Sequence, residues 1–554
     1  MVQEEDKPRN FLNMPKSFNA GNIFLGVFAV ATIRDLLEVT LQGAFLLSHE
    51  EPISSLRNYF LHFNSFYFLV FIALSLVLFF FTSKRATISD CLKTGALAMT
   101  LIWVGPVFDY FISGSFDMFY PRDPWDVVCH LYRIADPTYV FEGMSRGMRL
   151  EILLAGTGAA VFLYYKTKKI VKSICGGICI SVTCLFIGLL IPFITQLYEY
   201  GFNFGYHKLS DSTLLHQGFV VHDASSKIAL LYIFLCILLF AWAYYLRSRQ
   251  RFFSLMKNFR WTRSLHYLLL FAAGVAYIYH NPPIPDSSYA SYFEYLTTIW
   301  NHPFDLFAIF MGALAFFLSF QSAVIFNDIY DYDIDVISNR NRPLVAKSMS
   351  KSEYVLIGRL FVVLSLSIAL CLSEAFFLLV LLFHLMSFLY SAPPFRLRKF
   401  FLASNILLAT IFLLTLHAGT VVLISDYRFE NIPSYITFGL ILSFALALSV
   451  KDYKDMEGDR QAHVQTLYTL LGQKNGNRAT VFLVCCSILF TSVLLKLSQM
   501  YAFSVVACIL FLTVVILVRN QKIKEGLVVS LYFLYVVSLF YFLIFPSSIH
   551  GHTL

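Results

Sequence analysis

Charge is scarce in this chain. Only 14% of its 554 residues are Asp, Glu, Lys or Arg, against about 25% in typical soluble domains. That scarcity excludes intrinsic disorder, which needs low hydrophobicity and high charge. Cysteine is sparse too, at ten residues. Most lie inside apolar runs (Cys236, Cys371, Cys485, Cys486, Cys508) and read as free thiols acting as small hydrophobes, which excludes a small disulfide scaffold. Residues Met1 to Ala20 lack an apolar core segment, so no cleavable signal peptide is expected. The net charge of +8 is not gathered for nucleic acid; it is distributed as a membrane orientation signal, and no nucleic-acid partner is expected.

What the chain has instead is apolar length. It is 58% hydrophobic and 17% aromatic, more than one soluble core can hide. A transmembrane helix needs about 20 mostly apolar residues. Fifteen candidate runs recur: 22–48, 57–82, 94–114, 150–165, 171–196, 226–246, 264–281, 304–326, 354–372, 374–390, 401–424, 434–450, 479–495, 501–518 and 526–545. The first is interrupted by Arg34, Asp35 and Glu38. The expected fold is all-α and polytopic, with lipid as the surrounding medium. A basic stretch, 247–263, reads as a cytoplasmic linker between a transmembrane module at 1–246, with six spans, and a domain at 264–554 with nine.

Orientation follows from Lys and Arg in short loops. In the nine-span part, alternate loops hold fifteen basic residues on one side and two on the other. The fifteen-charge side is expected to be cytoplasmic, with the N-terminus inside and the C-terminus opposite. Segment 282–303, rich in Tyr289, Tyr292, Phe293, Tyr295 and Trp300, suits an interfacial aromatic belt.

The most informative stretch is NDIYDYDIDVISNRNRPL, Asn327 to Leu344. Asn327, Asp331 and Asp335 are spaced i, i+4, i+8, within about an 80° arc of one helix face. Asp328 and Asp333 lie beside them. Carboxylates this close repel one another unless a cation is present, and Mg²⁺ is usually held by one or two carboxylates plus substrate phosphates. A second cluster, KDYKDMEGDRQ, places Asp452, Asp455 and Asp459 at i, i+3, i+7, again one helix face. Both clusters fall on the cytoplasmic side. Arg340, Arg342, Lys347, Lys451, Lys454 and Arg460 accompany them. Two facing carboxylate sets with cations between them suit a diphosphate bridged by metal ions.

Asn327-x-x-x-Asp331-x-x-x-Asp335 with Asn341-Arg342-Pro343-Leu344 resembles the first aspartate-rich motif of UbiA-type intramembrane prenyltransferases. Lys451–Gly472 resembles their second, with Asp455 and Asp459 as its Asp-x-x-x-Asp. Tyr390-Ser391-Ala392-Pro393-Pro394-Phe395-Arg396-Leu397 resembles the Tyr-Ser-x-Pro-Pro-x-Arg-Leu element between them. The resemblance covers about 264–545. It implies a nine-helix bundle and Mg²⁺-dependent transfer of a prenyl group from a polyprenyl diphosphate to a hydrophobic or amphipathic acceptor. On that resemblance Asn327, Asp331, Asp335, Asp452, Asp455 and Asp459 face the metal. Arg342 and Lys451, then Arg340, Lys347 and Lys454, contact the diphosphate together with Asn327. Tyr390 lies near the allylic cation, where an aromatic face attracts positive charge. Leu467-Tyr468, where the family often has Leu-Pro, and Val345–Ser348, where a Ser-Gly pair is common, leave the acceptor class open.

Residues 1–246 resemble no recognised family. Arg34 and Glu38 are spaced to pair within one helix. Asp123, Asp126 and His130, and His207, His216, His222 and Asp223, read as polar loop groups. Cys175 and Cys179 read as packing. Two other functions stay open on sequence: a polytopic transporter, and a non-catalytic lipid-binding scaffold. No motif specifies prenyl length or oligomeric state.

Overall fold

The computed structural model describes residues 20–42, 57–82, 85–112, 120, 124–141, 143–200, 220–221, 223–281, 302–423, 432–453, 456–517 and 521–544. Among them helix dominates, and β structure amounts to two isolated bridges, Phe141 with Met144 and Phe400 with Gln465. A helix lies over each of the fifteen apolar runs. Eleven helices among the described residues are long and apolar enough to cross a membrane, with shorter apolar helices at Ser434–Val450 and Ser530–Ile544. The chain is an integral multi-pass membrane protein. Its long spanning helices are largely apolar around their circumference, as buried or lipid-facing helices are. Outward positions carry large bare side chains such as Leu378, Leu402, Phe438 and Phe482. The backbone requires helices there, because hydrocarbon offers nothing to an unpaired N–H or C=O.

The helices divide into two compact units. The first comprises Met1–Thr213 and Leu231–Ser248; the second comprises Leu214–Leu230 and Arg249–Leu554. The first unit contains α1 (Ala20–Gln42), α2 (Asn64–Phe81), α3 (Ile88–Ala98), α4 (Val104–Ile112), α5 (Arg146–Thr167), α6 (Ile170–Tyr200) and most of α7 (Ala224–Arg247). Arg34 lies with its guanidinium 5.2 Å from the centre of the Tyr67 ring. The Glu38 side chain, its expected partner, lies outside the described residues. So do Asp123, His207, His216 and His222, while Asp126 pairs with His130 at 2.8 Å.

The second unit runs from α8 (Arg249–Lys257) and α9 (Trp261–His280) through α10 (Pro303–Tyr330), α11 (Tyr332–Ser338), α12 (Lys351–Leu372), α13 (Glu374–Ser391), α14 (Phe401–Val421), α15 (Ser434–Ala447), α16 (Met456–Gln461), α17 (Leu467–Leu494), α18 (Met500–Leu517) and α19 (Gln521–Ile544). Its helix starts are specified locally. Ser350 caps α12 through Glu353 N–H, Ser373 caps α13 through Phe376 N–H, and Thr466 forms a capping box with Thr469 on α17. Helices α9 and α14 touch backbone to backbone. A Cβ on Gly274 would lie 2.0 Å from Leu416 O, and one on Gly419 would lie 2.0 Å from Phe271 O. Small residues permit that approach where lipid supplies no hydrophobic drive between helices. His384 on α13 reaches Ser319 and Ser322 on α10 and Ser365 on α12, the last at 2.9 Å.

The basic stretch 247–263 is more structured than a linker need be. It forms α8 and a corner whose Leu255, Asn258 and Phe259 are buried. Arg251 pairs with Glu353 at 2.8 Å, and Ser254 bonds Ser348 at 2.6 Å. The aromatic segment 282–303 lies, but for its last two residues, outside the described residues.

Candidate active site at the converging aspartate motifs

The first motif forms where α10 ends. The helix stops at Tyr330, and Asp331 leaves helical geometry (φ −98°, ψ 16°) before α11 resumes at Tyr332. Asn327, Asp331 and Asp335 are therefore not on one unbroken helix, as their spacing predicts. Asp331 is the joint. Hydrogen bonds still bridge it, from Asp331 N to Asn327 O at 2.8 Å and from Asp335 N to Asp331 O at 2.9 Å, so the three residues stay close.

Asp331 is 1% exposed and richly partnered. Asn327 Nδ2 donates to it at 2.6 Å, and Ser391 Oγ in turn donates to Asn327 Oδ1 at 3.2 Å. Arg396 donates at 3.1 Å, and Arg398 pairs with its other oxygen. A buried carboxylate is tolerated only when paired and hydrogen-bonded; here two guanidiniums and an amide do both.

Asp335 is different. It is 5% exposed, accepts from Asn339 Nδ2 at 2.9 Å, and has Arg342 Nε at 4.0 Å. Its Oδ2 is buried without a hydrogen-bond partner. Burial, and then the nearby charge of Asp328, push its carboxyl up to about 6, with Arg342, Asn339 and Arg260 opposing. An oxygen held in that state is available to a cation.

In the second motif, residues 448–453 form a 3₁₀ turn and Met456–Gln461 a short helix. The side chains of Lys451 and Asp452, and all of Lys454 and Asp455, lie outside the described residues. Asp459 is described and 2% exposed. Helix α16 lies directly on α11: a Cβ on Gly458 would meet Ser338 Oγ at 2.6 Å, Ile334 Cγ2 at 2.9 Å and Ile334 O at 3.2 Å. Only glycine lets the two acidic segments close to this distance.

Arg398 joins them. One guanidinium nitrogen pairs with Asp331, and the other donates to Asp459 at 3.2 Å. The two motifs, about 120 residues apart in sequence, meet on one arginine. The residues that follow are held as well: Gln465 N donates to Lys399 O at 2.8 Å.

Among the cations expected from sequence, Arg342 is placed at the site, within 3.7 Å of Asp328 and 4.0 Å of Asp335. Arg340 and Lys347 are exposed on the turn beyond α11. Tyr390 is half-buried on the last turn of α13, next to Ser391.

Several residues escaped the motif reading. Arg396 and Arg398 count in the sequence as loop charges, Arg396 also as a motif residue, yet both pair with Asp331. Asp328 is 1% exposed and accepts from Asn258 at 2.7 Å, Tyr354 at 2.9 Å and Arg260 at 2.7 Å. Asn258 also accepts from Arg342 at 3.1 Å. Asp328 is thus consumed as an anchor holding Arg342 beside Asp335, while Asp335 is left open. Arg260 and Arg396 both adopt left-handed backbone (φ 41° and 40°), uncommon outside glycine, and both direct guanidiniums at aspartates. The signal for Asn258 and Arg260 was weak, because they sit in a stretch whose charge alone marked it as a boundary.

Among the described residues, no three His, Cys, Asp or Glu side chains form a metal cage by themselves. Magnesium does not need one, since it is commonly held by one or two carboxylates with substrate phosphates and water completing the shell. The all-oxygen donors here, with an Asp335 Oδ2 that accepts no hydrogen bond, fit that pattern.

Residues 292–544 match the UbiA prenyltransferase family. The chain is 33% identical over 195 residues to the homogentisate phytyltransferase of Synechocystis sp., covering 33% of this chain and 61% of that protein. It is 26% identical over 212 residues to the digeranylgeranylglyceryl phosphate synthase of Methanosphaera stadtmanae, covering 38% of this chain and 74% of that protein. Against the rice probable homogentisate phytyltransferase 2, it spans 46% of the relative's length at 32% identity. A solved UbiA homologue from Archaeoglobus fulgidus, bound to DMAPP and Mg²⁺, aligns with 52% of this chain and 99% of its own at 19% identity and a TM-score of 0.38. The motifs and the family match agree in place: both aspartate-rich stretches fall within residues 292–544, which match the UbiA prenyltransferase family.

Proposed function

We propose that the second unit transfers a prenyl group from a polyprenyl diphosphate to an acceptor within the membrane. One observation carries the reading: Arg398 is shared by Asp331 and Asp459, so the two acidic motifs converge on a single point. Asp331, Asp335 and Asp459, with Asp452 and Asp455 proposed to join them, would hold Mg²⁺, and Asn327 orients Asp331. When bound, the metal neutralises charge developing on the leaving diphosphate.

The chain's own residues do the rest. Arg342, with Lys451, Lys454, Arg340 and Lys347 as further candidates, offers cationic hydrogen bonds to phosphate oxygens. Arg396, from the Tyr-Ser-x-Pro-Pro-x-Arg-Leu element, and Arg398 just beyond it add two guanidiniums beside Asp331. Ionisation breaks the allylic C–O bond, and the electron pair leaves with the diphosphate. The acceptor then supplies an electron pair to the allylic carbon and loses a proton. Tyr390 is the ring proposed nearest the cation. Apolar helices behind the charged edge admit the prenyl chain and exclude water, which would otherwise capture the cation.

Relatives named for homogentisate, an aromatic, and for a glyceryl phosphate make aromatic and lipid-type acceptors the two classes to test. The site is proposed to face the cytoplasmic side, where short loops concentrate Lys and Arg. The test is mass spectrometry of products from purified protein with Mg²⁺, geranyl or geranylgeranyl diphosphate, and both acceptor classes. A prenylated product that vanishes in EDTA is expected. Substrate flux in proteoliposomes without diphosphate release would instead mark a transporter and overturn the reading.

A further inference from the structure

The first unit contains a cavity of about 160 Å³ lined by its own residues. Its walls are mainly apolar, with Phe66, Val70, Met99 and Met148 among them, and it is edged by Arg34, Tyr67, Tyr120 and Glu151. An apolar cavity of about 150 Å³ is enough to bind benzene, so this one admits a single six-membered ring with small substituents.

The polar edge says which ring. Glu151 lies within the span Arg146–Thr167, and an ionisable residue at membrane depth is a functional hypothesis by default. Its Oε1 accepts from Gly105 N–H at 2.8 Å. That is the hydrogen bond the described residues give this carboxyl, and the Glu151 side chain lines the cavity. The Tyr120 hydroxyl contacts His62 Nε2 at 2.6 Å and Tyr232 Oη at 3.0 Å, and a phenol oxygen has capacity for one more hydrogen bond. The Arg34 guanidinium is engaged over the Tyr67 ring, 5.2 Å from its centre. What remains is an acceptor at the rim of a ring-sized apolar hollow.

We propose that this cavity is a binding site for a neutral, ring-sized apolar molecule bearing a hydroxyl donor, the class of simple phenols. The hydroxyl donates to Glu151 Oε2, and the ring packs on Phe66, Val70 and Met148. The proposal is independent of the aspartate motifs and needs neither Mg²⁺ nor diphosphate.

The test is equilibrium dialysis of labelled phenol and labelled toluene against the detergent-solubilised full chain, with empty micelles as the reference. Saturable binding of phenol is expected. Gly188 lines the cavity, and a Cβ there would meet no atom within 4 Å, so Gly188→Leu should fill the hollow without a clash and remove phenol and toluene together at an unchanged melting temperature. Glu151→Gln, which turns one acceptor oxygen into an amide NH₂, should weaken phenol by about tenfold, the scale of one lost hydrogen bond, and leave toluene within about twofold. Should Gly188→Leu fail to fold, the Glu151→Gln comparison decides. No saturable phenol binding overturns the proposal, as does equal phenol binding by folded Gly188→Leu or by Glu151→Gln. Phenol binding lost in Asp331→Ala but kept in Gly188→Leu places the ring in the second unit and also overturns it.

Discussion

At the residue scale, the site works by giving its aspartates unequal partners. Asp328 is fully hydrogen-bonded, Asp331 is shared by two arginines, and Asp335 keeps one buried oxygen without a hydrogen bond. Asp331→Ala and Asp335→Ala should each abolish prenyl transfer while the protein still inserts, assayed by product formation per milligram of purified membrane protein. Arg398→Lys should not restore what Arg398→Met loses, because one ammonium cannot reproduce a planar fork reaching two carboxylates. Both variants should lower kcat/KM by about a hundredfold, on the scale of losing one preorganised electrostatic partner. Asp328→Ala leaves Arg260 and Arg342 without their shared acceptor. Breaking a buried pair costs about 3–5 kcal/mol, so its melting temperature should fall clearly, and the KM for the prenyl diphosphate should rise as Arg342 loses its anchor. Asp328→Asn, which keeps an acceptor oxygen, should recover part of both.

At the element scale, the contact between α11 and α16 sets the distance between the motifs. Gly458→Leu places a side chain against Ser338 and the Ile334 carbonyl. Overpacking of this kind costs about 1–3 kcal/mol, and the shift it forces should reduce kcat/KM at least about tenfold with insertion unchanged. The same elements show what was legible in sequence. The apolar runs located the helices, because lipid leaves a backbone few alternatives. The motifs placed Asn327, Asp331, Asp335 and Arg342 at one end of the bundle. Periodicity could not see that α10 breaks at Asp331, because the i to i+4 hydrogen bonds continue across the joint and the residue spacing is that of an unbroken helix. Nor could it see Asn258, Arg260 and Arg398, whose roles come from tertiary packing onto aspartates 61 to 70 residues away. A charged stretch reads the same whether it is a solvated connector or, as at Asn258 and Arg260, a buried corner.

At the scale of the whole molecule, the account requires both motifs on one face of the membrane. Arg340→Cys and Arg460→Cys, each made where Cys129 and Cys175 are replaced by Ser, should label with an impermeant maleimide from the same side of sealed vesicles. Labelling from opposite sides would separate the motifs by a bilayer. The most direct measurement goes further. Binding of an unreactive thio-diphosphate analogue of the donor, with Mg²⁺, is compared in the native chain, Asp331→Ala, Asp459→Ala and the double variant. If both acids serve one diphosphate, each single variant loses most of the affinity and the double variant loses little more, a strong coupling in the cycle. Additive losses, or native affinity in either single variant, would contradict a shared site.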